Sequence, residues 1–148
     1  MSPQLHSLSK IWSAVLRECP LPPRACLFRT TEGENVERVR RYGTDRFGLD
    51  RPRGCARPPW TAADWAAHGF RGRWRPFVDV IYASTVADIE RSLSGRGSSA
   101  LIKIPDTIEA HLVIYRAAAF VPVHEGQYAF IDPARRVDAV LRILKVGG

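Results

Sequence analysis

Residues 24–43, RACLFRTTEGENVERVRRYG, join a short apolar run to a basic segment. The apolar run at 25–28 is typical of a buried strand, and it delivers Arg29 at its end. A glycine and an asparagine then mark a turn, and residues 36–42 look like a short helix that carries three arginines. The stretch therefore predicts a strand, a turn and a helix in immediate succession.

Arg29 is the residue of this stretch with the clearest chemical use. An arginine at the end of a buried strand is held in position yet stays open to solvent, where its planar fork can bind a phosphate or a carboxylate. The alternative is structural, with Arg29 as a solvated edge residue beside a basic helix. The stretch alone leaves both interpretations open.

Length and composition predict one compact domain of ordinary size that spans residues 1–148. Of the 148 residues, 45% are hydrophobic, which is enough for a real core. No apolar run approaches the length of a membrane span, so no membrane partner is expected. The N-terminus lacks a basic segment followed by an apolar one. We therefore expect a cytoplasmic protein, or one delivered into a target cell without a classical signal peptide.

The chain is basic, with a formal net charge of +7 that comes almost entirely from arginine. Such a balance attracts nucleic acid, acidic proteins or nucleotide phosphates without choosing among them. Residues 60–75 interleave aromatic and arginine side chains, a pattern that would stack bases and hold phosphates. The alternative, which we favour, is that these aromatic residues pack a small core under the preceding loop.

The cysteines do not predict a metal site. There are three, Cys19, Cys26 and Cys55, and their spacings match no zinc pattern. Cys26 lies inside the apolar strand, where a cysteine is most often a core residue. We expect reduced thiols and no metal.

Outside the opening stretch, helical and strand patterns alternate. Ser9 fits the N-cap of a helix over 10–19. Residues 106–115 fit a strand and a helix equally well, and residues 137–144 fit a final helix better than a strand. The other predicted elements are an irregular loop over 43–59, a helix that begins at residue 61, strands over 77–82, 100–104 and 127–131, and a helix over 86–94.

Three polar sites stand at the ends of predicted strands: Arg29 after ACLF, Ser84 and Thr85 after DVIYA, and Glu125 just before QYAFI. Each has a structural alternative. Ser84 or Thr85 can cap the following helix, since Thr85 and Asp88 have capping-box spacing. Glu125 can be a solvated loop acid. The order and context of the three sites are more informative than any one of them.

That order resembles the ADP-ribosyltransferase toxin family, in the branch whose site is an arginine, a serine or threonine, and a glutamate. The matching segments are LFRT with Arg29, VIYAST with Ser84 or Thr85, and FVPVHEGQYAFIDP with Glu125. The resemblance implies an α+β fold with a mixed β-sheet core of the split-sheet type and flanking helices. It also implies NAD as co-substrate and a protein or nucleic-acid acceptor. NAD hydrolysis by the same fold is the alternative.

The resemblance assigns a role to each residue of the site. Cleavage of the nicotinamide–ribose bond builds positive charge on the ribose, which Glu125 would stabilise. Arg29 would clamp the pyrophosphate, and Ser84 or Thr85 would fix the geometry. The residues expected to bind NAD are Arg29, Thr30, Tyr42, Phe47, Tyr82 and Gln127. A toxin or effector of this family would also have a cognate inhibitor or antitoxin as a partner.

Two features depart from the family pattern. Many relatives carry a glutamine or glutamate two residues before the catalytic acid, but Val123 stands there and Gln127 stands two residues after. In a shifted register Gln127 would occupy the acid position and the protein would be inactive. The second departure is the predicted C-terminal helix, where the family usually has a strand.

Overall fold

Strand β1, Cys26–Glu32, lies at the junction of two antiparallel sheets. The computed structural model describes residues 3–45, 62–67, 80–97, 99, 109–124 and 126–146. In the first sheet β1 pairs with β3, which pairs with β6; in the second sheet β5 lies between β2 and β4. The further strands are β2 Val80–Tyr82, β3 Ala110–Arg116, β4 Phe120–His124, β5 Gln127–Phe130 and β6 Val140–Lys145.

The two sheets meet at one isolated backbone bridge. Phe28 in the middle of β1 donates its N–H to the carbonyl of Ser84 (2.9 Å) and accepts the N–H of Ser84 (2.8 Å). Since Ser84 lies two residues beyond the end of β2, the bridge ties the second sheet to β1 near that end. The chain is thus an α+β protein whose two antiparallel sheets adjoin at this point.

Two helices, the first and the fourth in chain order, pack against one face of the first sheet. The described α-helices are α1 Pro3–Glu18, α2 Val36–Tyr42, α3 Ala62–Ala67 and α4 Val86–Leu93, with 3₁₀ segments at Pro23–Ala25, Gly33–Asn35, Ala117–Ala119 and Pro133–Ala139. α1 presents Leu8, Trp12 and Val15 at helical spacing, and all three are buried against one face of β1 and β3. Trp12 meets Phe28 of β1 edge to face, with ring centroids 5.0 Å apart.

A second core fills the space between the two sheets. The first sheet contributes Leu27 and Tyr115, and the second sheet contributes Ile81 and Phe130. Because side chains alternate along a strand, Arg29 is on the same face of β1 as Leu27. The fold therefore directs Arg29 toward the inter-sheet core rather than toward the helices.

Gly43 ends α2 in a conformation that favours glycine. Its φ is +84°, and its N–H donates to the carbonyl of Val39 (2.8 Å) as a helix C-cap. The hydroxyl of Tyr115, a fully buried side chain, donates to the carbonyl of Gly43 (2.8 Å). The turn after α2 is therefore fixed to the inter-sheet core.

The predicted strand at the start of the opening stretch and the helix over 36–42 are confirmed, and the ambiguous segment 106–115 ends in strand β3. Three expectations were wrong. The described strand pairs are all antiparallel instead of mixed. α1 begins at Pro3, well before Ser9, because proline suits the first helical turn and Leu8 is needed in the core.

The third wrong expectation is the C-terminal helix. Val140–Lys145 is a strand because it completes the hydrogen bonding of β3, and Val137, an anchor of the predicted helical face, is 46% exposed. The second departure from the family pattern therefore disappears. The predicted strand over 100–104 lies outside the described residues.

Replacing Gly43 with alanine should cost more stability than the same change at Gly95. Both glycines have left-handed φ values, +84° and +82°, so either alanine brings backbone strain of about 1 kcal/mol or more. A Cβ at Gly43 would lie 2.5 Å from the backbone carbon of Arg136, whereas nothing lies within 4 Å at Gly95. By urea unfolding, we expect the free energy of unfolding to fall by about 3 kcal/mol in Gly43→Ala and by about 1 kcal/mol in Gly95→Ala. Equal losses would contradict the close approach at Arg136.

In the Tyr115→Phe variant, the free energy of unfolding should fall less steeply at alkaline pH than in the wild type. Burial, with a smaller contribution from Asp45 and partly opposed by Arg29, raises the pKa of Tyr115 above its ordinary value. The folded protein therefore keeps this proton above about pH 10, where the unfolded chain releases it, so the stability that Tyr115 contributes is lost as pH rises. The variant should be about 1 kcal/mol less stable at pH 8 because the Gly43 carbonyl loses its donor.

The difference in free energy of unfolding between the wild type and Tyr115→Phe should become smaller between pH 10 and 11.5. Urea unfolding at each pH measures it. Tyr128→Phe is the control, since Tyr128 is only half-buried and its pKa is raised less strongly by burial and by Asp88. A stability difference between the wild type and Tyr115→Phe that stays constant up to pH 11.5 would contradict a buried, neutral Tyr115.

Candidate functional site

The guanidinium of Arg29 joins three segments of the chain. Its Nε and Nη2 both donate to Oδ1 of Asp45, at 3.1 and 2.9 Å, and its Nη1 donates to the carbonyl of Tyr82 at 2.8 Å. Asp45 lies two residues after Gly43, and Tyr82 is the last residue of β2. Arg29 thus connects β1, the end of β2 and the turn after α2.

Thr31 completes the surroundings of the Asp45 carboxylate. Its hydroxyl donates to Oδ2 of Asp45 at 2.7 Å, so both carboxylate oxygens accept hydrogen bonds from β1. The side chains of Arg29 and Asp45 are only 13% and 9% exposed. Removing one partner of an ion pair this well buried leaves the other charge unpaired.

Both sequence interpretations of Arg29 need correction. The expected clamp was a fork open to solvent, and the structural alternative was a solvated edge residue. Arg29 is instead largely buried, and one edge of its fork is filled by a carboxylate of the protein. Sequence reasoning missed Asp45, because an aspartate in an arginine- and glycine-rich loop carries no signal for a partner 16 residues away.

The two hydroxyl candidates have different positions. Ser84 is buried and forms the backbone bridge to Phe28. Thr85 caps α4: its hydroxyl accepts the N–H of Asp88 (3.2 Å), and the Asp88 carboxylate accepts the N–H of Thr85 (3.1 Å). The predicted capping box is confirmed. Ser84 therefore lies at the junction of the two sheets, whereas the Thr85 hydroxyl caps α4.

The third motif approaches the same place through its backbone. Glu125 itself lies outside the described residues, but its neighbour Gly126 accepts the N–H of Ala83 through its carbonyl at 3.0 Å. Gln127 is the register partner of Tyr82. The middle of β1, the residues just after β2 and the turn before β5 are therefore linked by backbone hydrogen bonds around the Ser84 bridge.

Gln127 is buried, with 3% exposure, and has an unsatisfied polar atom. Its Oε1 accepts no hydrogen bond in the described part of the protein. Buried amide oxygens nearly always have a partner, and an unpaired one is costly in a site without water. The atom is therefore an acceptor at the start of β5 that would be satisfied by a donor from outside the described residues.

The remaining predicted NAD contacts are only partly brought together. Tyr82 contributes its carbonyl to Arg29, and Tyr42 is half-buried at the end of α2, where Arg41 lies 5.6 Å from its ring centroid. Thr30 is on the opposite face of β1 from Arg29, because successive side chains of a strand alternate. Phe47 lies outside the described residues.

A surface cavity of about 190 Å³ occupies a different part of the molecule. It is lined by residues that include Arg116, Phe130 and Asp132, and its described lining contains none of the predicted site residues that the structure describes. Phe130 is at the opposite end of β5 from Gln127. The cavity is smaller than the roughly 300–1,000 Å³ usual for ligand pockets, so it does not suit a dinucleotide.

The described cysteines are structural in character. Cys19 and Cys26 are free thiols, and burial, with a smaller contribution from Cys26, raises the pKa of Cys19 to about 11. Neither is therefore a thiolate nucleophile at neutral pH. Among the residues that the structure describes, no three His, Cys, Asp or Glu side chains are grouped as metal ligands would be.

Comparison with known proteins gives no match to a family model, to a curated protein or to a solved structure. The resemblance to ADP-ribosyltransferases thus rests on the sequence motifs alone. In the described ranges, the helices are too short or too polar to cross a membrane.

Asp45→Ala should destabilise the protein far more than Asp138→Ala. The first change leaves the Arg29 guanidinium buried without its carboxylate, at a cost of about 3 kcal/mol. The second breaks the Arg135–Asp138 pair, whose side chains are 69% and 61% exposed, and should cost less than about 1 kcal/mol. Urea unfolding at low salt measures both. Similar losses for the two variants would show that the Arg29–Asp45 pair is not effectively buried.

Proposed function

We propose that the protein is an NAD-dependent ADP-ribosyltransferase of the toxin or effector type. It would cleave the nicotinamide–ribose bond and transfer ADP-ribose to a macromolecular acceptor. The single observation that carries the proposal is the pair of backbone contacts from Phe28 to Ser84 and from Ala83 to Gly126. These contacts link the three motifs that resemble the family, although the motifs are about 40 to 55 residues apart in the chain.

The fold supports the same function. Among the described pairings the two antiparallel sheets meet only at the Ser84 bridge, and this division is compatible with the split-sheet core that the resemblance implies. Strand β6 at the C-terminal end also agrees with the family pattern. Ligands bind at concave sites lined by a few polar groups, and Arg29, Ser84 and Gln127 would supply those groups at the junction of the sheets.

Cleavage of the nicotinamide–ribose bond requires one carboxylate, one anion-binding group and a group that holds the ribose in position. Glu125 would stabilise the oxocarbenium-like state as the neutral nicotinamide departs, which needs no general acid. Arg29 would bind the pyrophosphate, and the Ser84 hydroxyl would orient the ribose or Glu125. The buried Oε1 of Gln127 would accept a hydrogen bond from the ligand.

The acceptor is best sought among polyanions. The net charge of +7 raises the local concentration of acidic proteins and nucleic acids near the surface. With water as acceptor the same site would hydrolyse NAD. A toxin of this type would have a cognate inhibitor, and an acidic one would fit the charge of the chain.

Purified protein incubated with NAD should release nicotinamide, and Glu125→Gln should lower the rate by about 100-fold or more, since the charged carboxylate is lost with its shape kept. Arg29→Lys should mainly raise KM, because lysine cannot form the bidentate contact. Glu37→Gln, an exposed change on α2 with the same charge difference as Glu125→Gln, is the control and should keep the rate.

Two results would contradict the proposal. One is no nicotinamide release by the folded protein with water, acidic protein or nucleic acid present. The other is full activity of Glu125→Gln. In the first case steeply salt-dependent binding of nucleic acid would favour a basic binding module built on residues 60–75.

A further inference from the structure

The donors around the Asp45 carboxylate form a complete anion site on a single strand. Arg29 and Thr31 are two residues apart on the same face of β1, and together they supply Nε, Nη2 and a hydroxyl. Three donors that converge on one anionic group, two of them charged, are also what a phosphate oxygen requires. In the free protein this site is filled by a carboxylate of the chain itself.

The filled site conflicts with a simple clamp on the dinucleotide. The edge of the guanidinium formed by Nε and Nη2 is one with which arginine binds phosphate in a bidentate manner, and Asp45 covers that edge. Nη1 is engaged by the Tyr82 carbonyl. A phosphate can therefore reach this edge of Arg29 only if Asp45 leaves it.

We infer that Asp45 is an internal competitor that sets which anions Arg29 accepts, and that the site selects diphosphates over monoanions. This inference rests on the proposed function and names the feature of the substrate that the site reads. Arg29 touches the ligand, whereas Asp45 acts through Arg29 and is a specificity-determining residue. When the ligand binds, its diphosphate takes the place of the Asp45 carboxylate at Arg29. The Thr31 hydroxyl, which donates to Asp45 in the free protein, then donates to the diphosphate.

The preference for diphosphates over monoanions follows from the competition between Asp45 and the ligand for Arg29. Asp45 is tethered two residues from the fixed Gly43, so its effective concentration at Arg29 is on the order of millimolar or higher. A single carboxylate in solution offers the same bonds as Asp45 and loses the competition. A diphosphate carries more charge and more acceptor oxygens, so it replaces the lost bonds and adds to them.

Asp45→Asn is the direct test, with inorganic pyrophosphate, orthophosphate and acetate as probes at constant ionic strength. The amide keeps the shape of the side chain and removes its charge. We expect calorimetry to show pyrophosphate bound about 10-fold more tightly than by the wild type, and orthophosphate to gain measurable binding. Glu37→Gln changes the net charge equally on an exposed part of α2 and should leave pyrophosphate affinity within about 2-fold of wild type.

Three results would overturn the role of Asp45: equal pyrophosphate affinity in Asp45→Asn and wild type, the same gain in Glu37→Gln, or a gain that persists when Arg29→Lys is added. If Asp45→Asn does not fold, the role of Asp45 is tested on the wild type by NMR. The Nε–H resonance of Arg29 should shift with pyrophosphate but not with acetate, and an unchanged resonance at saturating pyrophosphate would overturn the role.

The nicotinamide assay separates this inference from the proposed function. If Asp45→Asn gains pyrophosphate affinity through Arg29 while no protein releases nicotinamide, the competitor role stands and the proposed function fails. If the wild type releases nicotinamide and Asp45→Asn has the same KM for NAD, the function stands and the competitor role fails.

Discussion

One buried ion pair, between Arg29 and Asp45, connects the parts of the molecule that matter for the site. A buried guanidinium must be satisfied from every side, so the chain has to bring a carboxylate and a carbonyl to it. Asp45 meets this requirement from the turn after α2, and Tyr82 meets it from the end of β2. Burying this one side chain thus fixes where a strand, a turn and the second sheet lie relative to one another.

The inter-sheet core explains how so polar a group can be placed there. Leu27 and Tyr115 pack against the second sheet on the face of β1 that also presents Arg29, so the arginine lies at the margin of an apolar layer. Tyr115 contributes on both sides, since its ring packs in the core while its hydroxyl holds the Gly43 carbonyl. Polar and apolar parts of the site therefore depend on one another, and a change at Gly43 or Tyr115 reaches Arg29.

Two local signals in the sequence were read correctly, although the N-cap expected at Ser9 was not, and non-local pairings were missed. The helix over 36–42 and the Thr85–Asp88 capping box depend on neighbours within four residues, so the sequence contains them in full. Strand β6 was taken for a helix because its apolar spacing fits both periods, and only its pairing with β3 decides between them. The expectation of mixed pairing failed in the same way, since strand direction depends on distant partners.

The site shows the same division. The end of β2 was found from an apolar run that stops at polar residues, but β1 continues to Glu32, so Arg29 lies in the middle of that strand and not at its end. The partner of Arg29 was not found, because nothing in the loop marks Asp45 as buried. The roles of Glu125 and Phe47 stay predictions, since both lie outside the described residues. Gln127 was expected near the site as a contact or as a shifted acid, and its buried, unpaired oxygen keeps it a candidate contact.

The most direct measurement is a crystal structure of the protein with ADP-ribose, which carries the diphosphate and the reacting ribose and is not consumed. The account predicts density at the seam between the sheets, with the diphosphate on Arg29, Asp45 displaced from it, and the terminal ribose beside Glu125. Density elsewhere, for example in the cavity beside Arg116 and Phe130, or an Arg29–Asp45 pair unchanged at full occupancy, would contradict it.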